Sequence, residues 1–185
     1  MADTQTPLYP IFDNVILWRH AQAEQADLEL GEQDKARQLT RKGHNQAKRM
    51  ARWLKQHLPE NTLLLSSPAV RAVQTAEALP HKIQLNNALK PGANLTDVLN
   101  ALTQYQQQKN ILIVGHQPWL GELVAYLLAQ ATFDVADIQS PNVQSPMVQS
   151  VGIKKGAVWW LRRHSLEASQ PACYKLHTLQ TPSLL

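Results

Sequence analysis

Reactive side chains follow two strongly apolar stretches of this chain. Residues 15–18 are apolar throughout and lead directly into Arg19 and His20, and residues 110–114 lead, through one glycine, into His116. Short apolar runs rich in β-branched residues predict buried strands. In an open α/β sheet, ligands bind beyond the carboxyl ends of the strands. Arginine and histidine side chains at such ends therefore indicate a polar binding site.

A third apolar stretch, Thr62–Leu65, adds a second arginine to this pattern. Ser67 as N-cap and Pro68 as first helical residue predict a helix start, with Arg71 one turn inside that helix. Helices starting at Pro68 and Pro118 would point free N–H groups at the same sheet edge. If the three strands are parallel neighbours, two arginines and two histidines converge there. Because arginine's planar fork matches tetrahedral oxyanions, the pattern predicts a phosphate site containing two imidazoles.

Each of these residues has an ordinary alternative when taken alone. A single histidine after a strand is usually a satisfied polar residue, and a single helical arginine is usually solvated or salt-bridged. Their common placement at strand ends favours the functional interpretation. The remaining histidines lack this placement and are interpreted as surface or packing residues: His44, His57, His81, His164 and His177.

The elements around these residues alternate between strand and helix. Thr40 is a plausible cap for a helix that ends at Pro59, and further helices are predicted after Pro68, from Leu95 to Gln107 and after Pro118. This alternation predicts a three-layer α/β/α fold with a mostly parallel central sheet.

The other segments of the chain are less regular. Three of them are predicted to be irregular: a loose lead-in at 1–12, a loop or poorly packed helix at 21–38, and a surface loop at 131–146. The others are predicted to be strands: a weak strand at His81–Leu85, a late antiparallel hairpin of Met147–Ile153 with Ala157–Arg162, and a last strand at Cys173–Thr178.

Composition narrows the class of protein. The chain has 185 residues, 44% hydrophobic and 17% charged, which predicts one globular domain over 1–185. The net charge of +4 is too small to indicate nucleic-acid binding but suits an anionic substrate or an acidic partner. One cysteine excludes an internal disulfide, and no histidines and carboxylates fall at metal-ligand spacing, so no metal or cofactor is expected. Without a basic leader or a long apolar run, we expect a cytoplasmic protein that does not enter a membrane.

Several motifs together resemble the histidine phosphatase superfamily. They are Arg19-His20, Leu39-Thr40-Arg41-Lys42-Gly43, Ser66-Ser67-Pro68 with Arg71 and Gln74-Thr75-Ala76, and Gly115-His116. The resemblance covers roughly residues 14–163 and implies a phosphoglycerate mutase-like fold. The short length and the order of the motifs are similar to the SixA-type phosphohistidine phosphatase branch. Two departures stand out: Ala21 replaces a common glycine, and the insert that carries an acidic residue in the mutase branch is absent.

The resemblance implies a mechanism. His20 would be the nucleophile and form a phosphohistidine, and Arg19, Arg71 and His116 would bind the phosphoryl oxygens. Gln22 would touch the phosphoryl or the leaving group. The general acid stays open between His116, Glu24 and Asp27. A protonated phosphohistidine already has a good leaving group, so that substrate needs no dedicated acid.

The resemblance implies a phosphatase that acts on phosphohistidine in a signalling protein, such as a histidine-phosphotransfer domain. Two alternatives remain open at this point. One is a small-molecule phosphomonoesterase, which needs a proton donor for an alkoxide leaving group, and the other is a non-catalytic phosphate-binding module. A basic stripe on the first helix is either a solvated face or a docking surface for an acidic protein: Arg41, Lys48, Arg52 and Lys55.

Overall fold

A six-stranded mixed sheet forms the centre of the molecule. The computed structural model describes residues 12–25, 31–129, 150–164 and 173–185. Within them, the strands are β1 (Asn14–Arg19), β2 (Thr62–Ser66), β3 (Ile83–Leu85), β4 (Asn110–Gly115), β5 (Val158–His164) and β6 (Cys173–Gln180). Their order across the sheet is β3-β2-β4-β1-β5-β6.

Helices cover both faces of the sheet. They are α1 (Arg41–His57), α2 (Val70–Ala76), α3 (Leu95–Leu102) and α4 (Trp119–Ala129), with short 3-10 turns at Gly31–Ala36, Asn87–Leu89 and Thr103–Tyr105. On one face Met50 and Leu54 of α1 join a buried cluster with Ile16 and Trp18 of β1. On the opposite face, residues of α3 and α4 pack with Leu17 and other alternate residues of the strands. The predicted three-layer α/β/α fold is confirmed.

The three strands that carry the candidate site are parallel neighbours. β4 pairs in parallel with β1 on one side and with β2 on the other. Arg19 lies opposite Gly115, and Ser66 lies opposite Val114. The carboxyl ends of all three strands therefore meet at one edge of the sheet.

The late antiparallel hairpin exists, and the predicted strands Ala157–Arg162 and Cys173–Thr178 correspond to β5 and β6. The predicted strand Met147–Ile153 is wrong, because β6 takes its place as the partner of β5. β5 pairs with β6 and, on its other side, with β1. Residues 150–153 form no strand, and 147–149 lie outside the described residues. The backbone of Val151 instead bonds Gly121 and the side chain of Gln117, and the Ile153 carbonyl accepts from Arg19. Residues 151–153 thus contact Arg19 and Gln117 at the candidate site instead of forming a strand.

Helix ends also differ from the predictions. α2 begins at Val70, its N-cap is Ala69, and it ends at Ala76, so the predicted helix start at Ser67 and Pro68 is wrong. The predicted 95–107 helix is α3 followed by a 3-10 turn, and the weak third strand is shortened to β3. The Thr40 cap is confirmed, because its side chain accepts from the Gly43 N–H at 3.0 Å.

The remaining predictions concern the start of the chain, one surface loop and the exposure of histidine and tryptophan side chains. Of the expected lead-in only Phe12 is described; it is buried and donates its N–H to the Tyr174 hydroxyl at 2.9 Å. The predicted loop 131–146 lies outside the described residues. The five histidines assigned to the surface or to packing are exposed. Trp160 is buried and Trp159 is half-buried, as their alternation in a strand predicts. Across the described residues, no helix has the length and apolar character needed to span a membrane.

Candidate active site

Three strand ends bring the two histidines together. The backbone N–H of His20 donates to the Gly115 carbonyl at 3.1 Å, and that of Ser67 donates to the Val114 carbonyl at 3.0 Å. These bonds extend the sheet past the ends of the strands. The imidazole rings of His20 and His116 consequently lie 5.1 Å apart between centroids. Both side chains are buried, with 5% and 2% of their surface exposed.

The His20 ring has a defined orientation and charge. Its Nδ1 lies 2.8 Å from the carbonyl oxygen of Ala21, which can only accept, so Nδ1 carries the proton and donates it. The lone pair is then on Nε2. Burial lowers the pKa of His20 to about 3, and the positive charges of Arg71, Arg19 and Lys155 act in the same direction against the Ala21 hydrogen bond. His20 is therefore neutral at physiological pH and holds a free lone pair on Nε2.

Ser67 controls the neighbouring ring. Its hydroxyl lies 2.7 Å from Nε2 of His116, and the same oxygen accepts the Ala69 N–H at 3.2 Å. The fully buried hydroxyl hydrogen needs an acceptor, which Nε2 supplies. This assignment places the His116 proton on Nδ1. Burial lowers the pKa of His116 to about 2, helped by His20 and the two arginines, so His116 acts as a neutral donor.

The two arginines are anchored through their outer nitrogens. Nη1 of Arg19 donates to the Ile153 carbonyl, and Arg71 donates from Nη1 to the Asp34 carbonyl and from Nη2 to its carboxylate at 2.8 Å. The remaining Nε atoms of both arginines and Nδ1 of His116 are buried without a hydrogen-bond partner among the described residues. Unpaired buried donors are costly unless a ligand satisfies them. Three such nitrogens beside His20 fit a tetrahedral oxyanion.

Asp34 is the residue of this site that sequence reasoning missed. It lies in the Gly31–Ala36 turn and bridges Arg71 and Arg37. Burial opposes its ionisation, but hydrogen bonds from both arginines outweigh this and lower the pKa of the carboxyl. Asp34 is thus a carboxylate that holds Arg71 in place. Sequence spacing contained no signal for a pair separated by 37 positions.

Other residues of the sequence motifs support the segment that follows His20. Thr75 accepts the Ala21 N–H at 3.0 Å, and the Thr40 N–H donates to the Gln22 carbonyl at 3.0 Å. A Cβ at Gly43 would lie 1.9 Å from that same carbonyl oxygen, so only glycine lets helix α1 approach so closely. The motifs therefore include positioning residues as well as site residues.

Three further residues were predicted to contact the substrate or to act as the general acid: Gln22, Glu24 and Asp27. The backbone of Gln22 is fixed beside the site by Thr40 and by Gln46, and its role as a substrate contact stays a prediction. Glu24 is exposed, while Asp27 lies outside the described residues. In the described part of the chain, no group of three or more histidine, cysteine or carboxylate side chains is arranged to hold a metal ion.

The two buried imidazoles predict a pH dependence of stability. A depressed pKa means that the unfolded chain, with histidines near 6.5, binds more protons than the folded one. Their stabilisation is complete above about pH 6.5 and declines as pH falls toward 3. We expect the urea midpoint to drop between pH 7 and pH 4.5. His116→Gln should flatten that slope, whereas the exposed-site control His81→Gln should not; equal slopes in all three proteins would contradict the burial argument.

Fold and site together define an α/β protein with two histidines and two arginines at the carboxyl edge of its parallel strands, an arrangement that fits a tetrahedral oxyanion. Comparisons with known proteins agree. The family model of the histidine phosphatase superfamily (branch 1) matches residues 15–94. The phosphohistidine phosphatase SixA homolog of Haemophilus influenzae is 35% identical over 129 residues, covering 62% of this chain and 76% of that protein. The phosphohistidine phosphatase SixA of Escherichia coli is 35% identical over 103 residues, covering 51% of this chain and 63% of its own length.

Solved structures share the fold over nearly the whole chain. The protein histidine phosphatase SixA complexed with tungstate has a TM-score of 0.65 and 25% identity, covering 92% of this chain and 98% of that one. A mycobacterial glucosyl-3-phosphoglycerate phosphatase with inorganic phosphate has a TM-score of 0.59 and 19% identity, covering 90% and 96%. The chain belongs to the histidine phosphatase superfamily. Within it, this protein is a phosphatase of the SixA type.

Proposed function

We propose that the protein removes the phosphoryl group from phosphohistidine on another protein, with His20 as nucleophile. The observation that carries the proposal is a buried, neutral His20 ring, 5.1 Å from the His116 ring, in a site where three buried nitrogens lack a hydrogen-bond partner among the described residues: Nε of Arg19, Nε of Arg71 and Nδ1 of His116. Two relatives named phosphohistidine phosphatase SixA or its homolog, and a SixA structure that holds the oxyanion tungstate, support the same assignment.

In the first step Nε2 of His20 attacks phosphorus. Its depressed pKa keeps the lone pair free, and its Nδ1 bond to Ala21 keeps the ring turned. A new P–N bond forms at His20 while the P–N bond of the substrate breaks. In the second step water attacks phosphorus and the P–N bond to Nε2 of His20 breaks. The protons of the water leave with inorganic phosphate, and His20 returns to its neutral form with the proton on Nδ1.

Arg19, Arg71 and His116 stabilise the phosphoryl group as negative charge spreads over its equatorial oxygens. Both guanidinium groups are held in advance, by Ile153 and by Asp34, so little reorganisation is needed during the reaction. The Nδ1–H of His116, set by Ser67, adds a neutral donor. These donors are buried, and electrostatic interactions are stronger there than in water.

The state of the carboxylates favours a substrate with a good leaving group. Asp34 is held ionised by two arginines and cannot serve as an acid near neutral pH. Glu24 is exposed on the segment after the nucleophile. An alkoxide leaving group needs a proton at the moment of bond breaking, whereas a protonated phosphohistidine leaves as neutral imidazole. This contrast favours phosphohistidine over a phosphate monoester of a sugar or alcohol.

A turnover panel tests the proposal. Initial rates are measured with a histidine-phosphotransfer domain phosphorylated on histidine, with a sugar phosphate and with an aryl phosphate. We expect the highest kcat/KM with the phosphohistidine protein and measurable turnover of the activated aryl ester. A higher kcat/KM with the sugar phosphate would establish a small-molecule phosphomonoesterase instead. If no substrate is turned over, the protein would be a non-catalytic phosphate-binding module instead.

A further inference from the structure

The cationic side chains of this protein are concentrated beside the candidate site. The 25 residues from Lys35 to Pro59 contain eight of the 18 lysines and arginines and none of the 14 acidic residues. Six of these cations lie on helix α1, and all six are exposed: Arg41, Lys42, Lys48, Arg49, Arg52 and Lys55. We call these six side chains the basic helix face.

Folding does not account for this concentration of charge. Two cations occupy the first turn of α1, where the positive end of the helix dipole disfavours them. Lys48 and Arg52 are four residues apart, and Arg52 and Lys55 are three apart, so like charges are neighbours on the helix surface. Among the described residues, the carboxylates that form ion pairs are Asp13 and Asp34, and their partners all lie outside α1.

Helix α1 starts at the site and extends away from it. Its Gly43 packs against the backbone of Gln22, and the Gln46 side chain accepts the Gln22 N–H at 3.0 Å. The chain between His20 and α1 also carries acidic groups, of which Glu24 is exposed and Asp34 is paired with Arg71 and Arg37. With 17 residues, the helix extends the surface by about 25 Å from the pocket.

We infer that the basic helix face is the docking surface for an acidic protein that presents its phosphohistidine to His20. The inference rests on the proposed function. A protein substrate must also contact the surface around the site, and α1 presents a surface of uniform positive charge that begins beside Gln22. Complementary charge steers association and fixes orientation, and it acts before any chemistry.

A charge-reversal experiment with two substrates tests this inference. The helix variant carries Lys48→Glu, Arg52→Glu and Lys55→Glu, which are three exposed cations of α1. The matched control carries Lys82→Glu, Lys90→Glu and Lys109→Glu, which are three exposed lysines on other surfaces. Each is assayed with an acidic phosphorylated histidine-phosphotransfer domain and with free phosphohistidine. Because both substrates break the same kind of P–N bond, the ratio of their kcat/KM values isolates docking.

We expect the helix variant to lose about ten- to a hundredfold in kcat/KM for the protein substrate, mainly through KM, and to keep its rate on free phosphohistidine. The control should keep both rates. Added salt should lower the wild-type rate on the protein substrate and have less effect on the helix variant. Retained turnover of free phosphohistidine also shows that the variant is folded.

Other outcomes overturn the inference. If the ratio of kcat/KM for the protein substrate to kcat/KM for free phosphohistidine is the same in the helix variant and the control, docking through α1 is excluded. The proposed function would remain intact. If the helix variant loses both rates, the milder Lys48→Gln, Arg52→Gln, Lys55→Gln variant is measured, and an unchanged ratio there also excludes docking. Wild-type protein that hydrolyses an aryl phosphate but neither phosphohistidine substrate would overturn the proposed function and the docking surface together. Unchanged ratios with α1-dependent binding of RNA or of anionic vesicles would assign the face to that polyanion instead.

Discussion

His20→Ala is expected to abolish turnover and to leave oxyanion binding intact. The side chain supplies the attacking Nε2, whereas the Nε2 of the neighbouring His116 is bonded to Ser67. The residual rate should fall to the background of the uncatalysed reaction. Arg19, Arg71 and His116 remain in the variant, so vanadate or phosphate should still protect it against thermal unfolding.

The covalent intermediate provides a direct measurement. Wild-type protein quenched in alkaline denaturant during turnover should carry phosphate on Nε2 of His20, stable in alkali and lost in acid. The exposed-histidine variant His81→Ala serves as the control and should give the same adduct. Phosphate mapped to His116 or to Nδ1 of His20, or near-normal turnover of His20→Ala, would show that the roles are wrongly assigned although the family is right.

His116→Ala is expected to slow turnover by about two to four decades, the usual cost of losing one transition-state stabiliser or acid–base group. At about 1.4 kcal/mol per decade, this corresponds to roughly 3–6 kcal/mol of transition-state stabilisation. The physical reason is that His116 supplies a buried donor whose pKa of about 2 keeps it neutral. The loss should appear in kcat more than in KM, because the donor acts most strongly on charge that develops during the reaction.

A matched variant separates the donor from the volume it fills. His116→Asn retains an amide donor in a smaller side chain and should recover part of the lost rate, whereas His116→Ala should not. The trapped phosphate on His20 should persist in both variants. A loss of less than tenfold in His116→Ala would remove His116 from the stabilising set and leave that role to the two arginines.

The elements that carry the site were predictable from local pattern. Apolar runs at 15–18, 62–65 and 110–114 form neighbouring parallel strands, as expected. Strands buried on both faces have continuous apolar sequences, so their ends stand out in the sequence. The residues directly after them had to lie at one edge once the strands were parallel. Local pattern therefore sufficed to bring Arg19, His20 and His116 to the same place.

The local sequence pattern gave wrong predictions where a residue forms a hydrogen bond with a residue far away in the sequence. Val151 and Ile153 alternate like a strand, but their carbonyls accept from Gln117 and Arg19 instead of from a neighbouring strand. Ser67 resembles a helix cap, and its hydroxyl does accept the Ala69 N–H, but the helix begins later and the same hydroxyl reaches His116. In each case a contact that spans many residues outweighs the local preference.

The sequence by itself determined the sheet, its parallel centre, and which arginines and histidines follow its strands, since these depend on burial periodicity and on the order of the elements. Only the tertiary structure decided how those groups are prepared for chemistry. Asp34 holds Arg71, the Ala21 carbonyl orients His20, and Ser67 orients His116. Hydrogen-bond direction and desolvation depend on distances of a few tenths of an ångström between groups from separate elements, and periodicity along the chain carries no information about such distances.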